Sequence, residues 1–549
     1  MNKLISATLA AVLLAPLAAL HAANAILRPD KLQTYVEQFN AADNELYRQH
    51  VPNTNAAEFL RANVPLFECP DADIERTYYF RWWTYRKHIK ETPDGFVITE
   101  FLPAVYWAGK HNTISCAAGH HFYEGRWLRN SKFLDDYSVF WFRKGGEPRL
   151  YSFWAADAIR ARSLVSGDAA LPAELLPDLI ANYTAWETNV LKHDFILSPY
   201  IAAQPDKPSG HLDPCGLFWQ VDDRDGGEFS IGGHGYRPTI NSYMFGDAQA
   251  IAAIASTAGK ADIARRFREK AARLKELVQS RLWDTRAQFF KTLPRGEGAR
   301  FVDVRELYGY TPWYFNLPDA NYAVAWKQVM DAKGFYAPFG LTTAEQRHPK
   351  FAISYKGPEC QWNGPSWPYA TTITLTAMAN LLNGVPQKVV NKRDYFDLLR
   401  IYAGSHRLKR DDGLVVPWID ENLNPLTGDW ISRTRLKSSE KGPWPADNGG
   451  VERGKDYNHS TYCDLVITGL IGLRPRADDT VEVNPLAPDD WGYFCLDSIV
   501  YHRRTLTILW DKTGGRYGQG KGLRVLADGR EIAAADKLQR VTAQLPSTN

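Results

Sequence analysis

The sequence predicts a mainly α protein: a toroid of helical hairpins followed by a small antiparallel β-domain. Three observations carry this. Amphipathic and fully apolar helical segments recur through the middle of the chain. Long loops rich in Gly, Pro, Trp and acids separate them at 209–237, 303–318, 334–368 and 410–458. After about residue 476 the pattern changes to short alternating runs divided by Gly, Asp and Pro.

The helices read as follows. "PAELLPDLIANYTAWETNVLK" places Leu175, Leu176, Leu179, Ile180, Tyr183 and Trp186 on one face, and "ADIARRFREKAARLKELVQSRLW" does the same with Ile263, Phe267, Leu274, Leu277 and Leu282. "TTITLTAMANLLN" is apolar nearly all round, as a helix packed on both sides must be. "DIERTYYFRWWTYRKHI", "LYSFWAADAIRARSLVSG", "RDYFDLLRIYAGSH" and "STYCDLVITGLIGL" complete the set. "GFVITEF" and "TISCAAGHHFYEG" read as a strand pair, a β insertion near 95–127. "DTVEVNPL", "RRTLTILWD", "GLRVLADG" and "LQRVTAQLP" read as strands of a C-terminal β-domain over 476–549, leaving 26–475 to the helical domain.

The chain opens with Lys3, an apolar run from Leu4 to Leu20 and the small-x-small triplet Ala23-Asn24-Ala25, which predicts a signal peptide over 1–25 and an exported protein, periplasmic or secreted. No later segment is long and apolar enough to span a bilayer. The formal charge is +3, or +2 once Lys3 leaves with the leader, and no basic run is present, which excludes electrostatic capture of nucleic acid. The six cysteines show no C-x-x-C spacing, so neither a zinc site nor a particular disulfide pairing follows. No cofactor or metal is expected. Aromatic content is high, with 18 Trp, 27 Tyr and 25 Phe, as suits a cleft with flat apolar walls and polar tips.

Three loops concentrate acids against aromatics. In "FWQVDDRDGGEFS", Asp222, Asp223, Asp225 and Glu228 crowd together between Trp219 and Phe229. Such crowding raises carboxyl pKa values unless a cation intervenes, and it marks Glu228 as a candidate proton donor. A calcium loop would need D-x-D-x-D-G spacing, which is not met. "VPWIDENLNPLTGDW" carries Glu421 after Trp418, and "GPECQWNGPSWPYATT" carries Glu359, Trp362 and Trp367.

In order and content these loops resemble the (α/α)6-barrel glycosidases of the glucosidase I, trehalase and mannosylglycerate hydrolase type. "DGGEFS…PTINSYM" resembles their S-G-x-D acid loop, "CQWNGPSWPY" their W-x-G-P-I-W loop, "ENLNPLTG" their E-x-Y-x-P-x-T-G base segment, and "LWDTRAQFF" their L-W-D-x-x-x-x-F-F hairpin. The resemblance covers about 150–475 and implies an (α/α)6 toroid, with Glu228 on the acid position and Glu421 on the base position. Asp225, Glu359 and Glu452 stand in reserve. Two departures, Glu228 for the usual Asp and Leu423 for the Tyr of the base segment, set the chain apart from trehalase and glucosidase I and favour a branch acting on another sugar.

The expectation is an exported, exo-acting, inverting glycoside hydrolase whose partner is a carbohydrate. Inversion asks for carboxyls about 6.5–9.5 Å apart. Trp154, Asp157, Trp219, Asp223, Arg224, Arg237, Trp362, Trp367, Trp418 and His459 are the candidate substrate-binding residues. Two alternatives remain at this point. One is a polysaccharide lyase on the same toroid, drawing on Tyr310, Tyr457 and His459; the other is a non-catalytic carbohydrate-binding protein.

Overall fold

Six buried helical segments close into a ring. They are Ser115–Gly125, Ala155–Ser166, Pro238–Thr257, Thr311–Tyr314 with the turn Leu307–Tyr310 before it, Pro368–Gly384, and Tyr462–Asp464 continued by Leu465–Leu470. Each packs on the next and the last returns to the first, which is the inner wall of an (α/α)6 toroid. The structure is a computed structural model describing residues 25–189, 210–356, 360–438 and 450–546. The leader expected over 1–25 lies, apart from Ala25, outside the described residues.

The sequence explains which helices face which way. Pro368–Gly384 is buried from Pro368 to Leu381, as its lack of any charged face requires. Ala261–Leu277 buries Ala264, Phe267, Ala271, Leu274 and Leu277 and gives its charged side to water, so it lies outside the ring against Pro238–Thr257. Two inner helices begin with proline, at Pro238 and Pro368, where the missing N–H costs nothing. Lys392–Ser405 starts on a capping box between Asn391 and Asp394.

The β insertion near 95–127 is corrected. Its strand pair is Ile89–Thr92 with Gly95–Ile98, and Ser115–Gly125 is an inner helix. Gly119 obscured it by lowering helix propensity. The glycine is there for contact: a Cβ would stand 2.2 Å from the Trp154 ring of the neighbouring helix. His120 and His121 are therefore buried helical residues. His121 bonds the Asn458 carbonyl at 2.7 Å and the Tyr137 hydroxyl at 3.1 Å.

The C-terminal strands form an antiparallel five-stranded sheet in the order Leu66–Glu68, Tyr493–Tyr501, Arg504–Asp511, Gly522–Ala527, Arg530–Ala535. Its first strand comes from the helical part of the chain, pairing Leu66 with Asp497 and Glu68 with Cys495. Thr480–Val483 and Val541–Gln544 make a separate pair. Among the described residues no helix is long and apolar enough to cross a membrane.

Ring closure rests on a polar junction. The Glu124 carboxylate accepts from the Cys463 and Asp464 backbone N–H groups at 2.9 and 2.8 Å. Asp464 Oδ1 in turn accepts from Arg126 Nε and Nη2 and from Trp127 Nε1 at 2.9, 2.7 and 2.7 Å. Removing one partner of a buried pair strands the other charge. Asp464→Ala is therefore expected to lower unfolding free energy by about 3–5 kcal/mol in a denaturant titration; a loss under about 1 kcal/mol, the range of an exposed pair, would show that the junction does not hold the ring.

Candidate active site

A cavity of about 310 Å³ opens at the end of the ring where the long loops gather. That is the lower end of the range for small-ligand pockets. Four carboxyl side chains line it: Glu100, Asp223, Glu228 and Glu421.

The acid loop is shaped by pairing all but one of its charges. Asp222 caps the turn Asp223–Asp225 by accepting from the Asp223 N–H and lies 3.1 Å from His234. Asp223 takes Arg224 at 2.8 Å, and buried Asp225 takes Arg237 Nε at 2.7 Å and the Thr239 hydroxyl. Glu228 has no cation partner among the described residues. It accepts from Trp362 Nε1 at 3.0 Å, while its own carbonyl accepts from the Trp362 N–H at 3.2 Å. Burial first, then the Asp223 and Asp222 charges, push its pKa well above the ordinary carboxylate range. Phe229 next to it has φ +59°, an unusual conformation for a bulky side chain.

Glu421 is buried and pairs with Arg453 Nη2 at 2.9 Å. Its neighbour Asp420 turns away, accepting from the Glu421 N–H at 2.8 Å and the Ser432 hydroxyl at 2.8 Å. The segment bearing Arg453, Tyr457 and His459 is fixed from behind. Lys87 pairs with Asp456 at 2.7 Å, His88 meets the Asp456 carbonyl at 2.7 Å, and His121 meets that of Asn458.

The sequence missed Glu100, Tyr457 as its partner, and Arg453. Glu100 accepts from the Tyr457 hydroxyl at 2.5 Å. Burial, augmented by the nearby Glu421 charge and opposed by the Tyr457 bond, raises its pKa to about 8. Nothing local signals this: in "VITEFLP" it is a single acid two residues past the end of a strand, and only the tertiary fold brings it to Glu421.

Of the other candidates, Asp223, Arg224, Trp362, Trp367 and His459 line the cavity. Trp362 and Trp367 stack with ring centres 4.3 Å apart and planes 12° apart, and Arg224 lies over Tyr151. Five do not line it. Trp154 is core, packed on Tyr243 and His120; Asp157 accepts from the Tyr123 hydroxyl inside the ring. Trp219 is stacked on His211 under Arg295, Arg237 is spent on Asp225, and Trp418 is buried with its N–H toward Asp420. In each case an aromatic or charged residue beside a loop serves the wall that supports the loop. Asp225 is likewise a clip. Glu452 lies off the cavity, paired with Arg433 at 2.8 Å, Tyr310 is core against Trp326, and Glu359 lies outside the described residues. Cys116 and Cys360 also line the cavity.

Comparison with known proteins decides the family. Residues 110–460 match the mannosylglycerate hydrolase MGH1-like glycoside hydrolase domain. The chain belongs to this family. After that glycoside hydrolase domain, residues 473–534 match the C-terminal domain of glycosyl hydrolase family 65. A solved protein named sialidase is 44% identical over 94% of this chain, with a TM-score of 0.82, and the match covers 45% of that protein, so the chain spans less than half its length. A GH78 family rhamnosidase of Bacillus sp. GL1 is 13% identical, with a TM-score of 0.50 over 84% of this chain and 41% of that one, a likeness of fold.

The raised Glu100 carboxyl has a thermodynamic consequence. Its unfolded form ionises near pH 4.5 and its folded form near 8, so it subtracts stability as pH rises through that window and has no effect below it. Glu100→Gln does not titrate. Its melting temperature relative to the parent is expected to rise between pH 4 and pH 8; a difference independent of pH would contradict the assignment.

Proposed function

We propose that the protein is an exported hydrolase that cleaves an O-glycosidic bond at a chain end with inversion of configuration, Glu228 acting as general acid and Glu421 as general base. The observation that carries the reading is that these two carboxyls, 193 positions apart in sequence, line one cavity in opposite electrostatic settings. Glu228 has its proton favoured by burial and neighbouring anions; Glu421 faces a guanidinium. Glycoside hydrolysis needs such a division between two carboxyl groups.

In the reaction, the Glu228 proton passes to the leaving glycosidic oxygen as the bond to the anomeric carbon breaks. A water attacks that carbon from the other face and gives a proton to Glu421. The alcohol leaves, the sugar carries the new hydroxyl, and one proton must return from Glu421 to Glu228 through solvent before the next turnover. The limited cavity volume favours exo action, and the family assignment together with the stacked Trp362 and Trp367 favours a carbohydrate over any other substrate.

A screen of aryl glycosides and plant and bacterial polysaccharides identifies the sugar. On the substrate found, Glu228→Gln and Glu421→Gln are each expected to lower kcat by about 10²–10⁴-fold, with a melting temperature near the parent's for Glu228→Gln and a lower one for Glu421→Gln, which leaves Arg453 without its buried carboxylate. Parental turnover in either variant sinks the assignment, and an unsaturated product absorbing in the ultraviolet would favour a lyase instead. Because Glu228 must be protonated, the parent's kcat/KM should persist above the ordinary carboxylate range and fall as pH rises through the raised Glu228 pKa. A decline that begins near pH 4.5 would contradict this.

A further inference from the structure

Two of the large apolar side chains left open to water line the catalytic cavity. Tyr106 is 85% exposed and Phe229 59% exposed, whereas the exposed Leu46, Phe339, Leu414, Val415 and Leu426 lie off it. Of the other aromatic walls, Trp107 is half-buried and Phe101, Tyr151, Trp362, Trp367, Tyr369 and Tyr457 are buried. The two open rings therefore mark the rim.

Neither ring is placed there by the needs of the fold. Phe229 holds a left-handed backbone at φ +59°, where asparagine or glycine would sit more easily, yet it spends that strain on a ring the core does not use. Tyr106 is braced by Trp107, with ring centres 4.8 Å apart and planes at 90°, and Trp107 rests edge-on against Phe101 at 5.6 Å. A braced aromatic ring open to water at a cavity rim suits the C–H face of a sugar. Position settles which sugar. Phe229 follows Glu228 directly, and a general acid stands beside the oxygen of the leaving group, so the ring after it borders the leaving side of the bond.

We propose that Tyr106 and Phe229 form a stacking lip for the sugar ring on the leaving-group side of the cleaved bond, so that the substrate is a glycan of two or more rings. This rests on the reading of Glu228 as acid. The lip gains contact only when a second ring is present, and its binding energy is spent on orienting the leaving group against the Glu228 proton.

The test compares two substrates with the same terminal sugar: the shortest oligosaccharide hydrolysed in the screen, and the glycosyl fluoride of its terminal sugar, whose leaving group is one atom. Tyr106→Ala, Phe229→Ala and Phe229→Asn are measured on both, the last because asparagine accepts the left-handed backbone and removes only the ring. The expected result is a loss of kcat/KM at least fivefold larger on the oligosaccharide than on the fluoride, for all three variants, with melting temperatures no lower than the parent's. Equal losses on the two substrates, no loss on the oligosaccharide, or full rescue by Phe229→Asn overturns the lip. A parent inactive on every glycoside instead overturns the hydrolase reading, and the lip with it.

Discussion

The ion pair between Arg237 and Asp225 lies wholly inside the protein, and the acid loop hangs from it. Arg237 immediately precedes the inner helix Pro238–Thr257, so the pair ties a loop of unusual charge density to the start of a buried helix of the ring. The guanidinium also donates to the Gly233 carbonyl at 2.5 Å and the Ser230 hydroxyl at 3.1 Å, bracketing Glu228 from the far side. A buried pair of this kind adds little net stability over an apolar substitute but makes the loss of either partner costly. Its contribution is therefore geometric: it fixes where residue 228 can point.

The same clip explains how neighbouring carboxyls come to differ. Arg224, His234 and Arg237 take up Asp223, Asp222 and Asp225, leaving Glu228 with a tryptophan N–H and the residual field of its neighbours. Across the chain, Arg453 takes Glu421, and Glu100, held by Tyr457, adds a third carboxyl whose ordinary state near neutral pH is protonated. Proton assignments in this cavity follow from which acids were given cations.

Helix identity was legible wherever the pattern was decisive. The striped Ala261–Leu277 read as a one-faced helix and the apolar Pro368–Gly384 as one packed on both sides, and the structure places them outside and inside the ring. Ser115–Gly125 did not, because a glycine chosen for contact with Trp154 looks like a helix breaker. The strand Leu66–Glu68 was also invisible, since three residues paired with a sheet over 400 positions away leave no local signal. Charge crowding and motif order singled out Glu228 and Glu421, and both line the cavity. The supporting tryptophans and Arg237 carried the same composition signal as the lining residues, so sequence could not separate wall from surface. Glu100, a lone acid just past a strand, reaches the cavity only through the fold.

The proposed inverting mechanism needs a water to enter between Glu228 and Glu421 and attack the face of the sugar away from its leaving group. Proton magnetic resonance of the first product formed, read on its anomeric signal before mutarotation, tests that directly. The account predicts the configuration opposite to that of the substrate. First release of the same configuration would mean that one carboxylate attacks the sugar itself, and the division of roles argued here would be wrong.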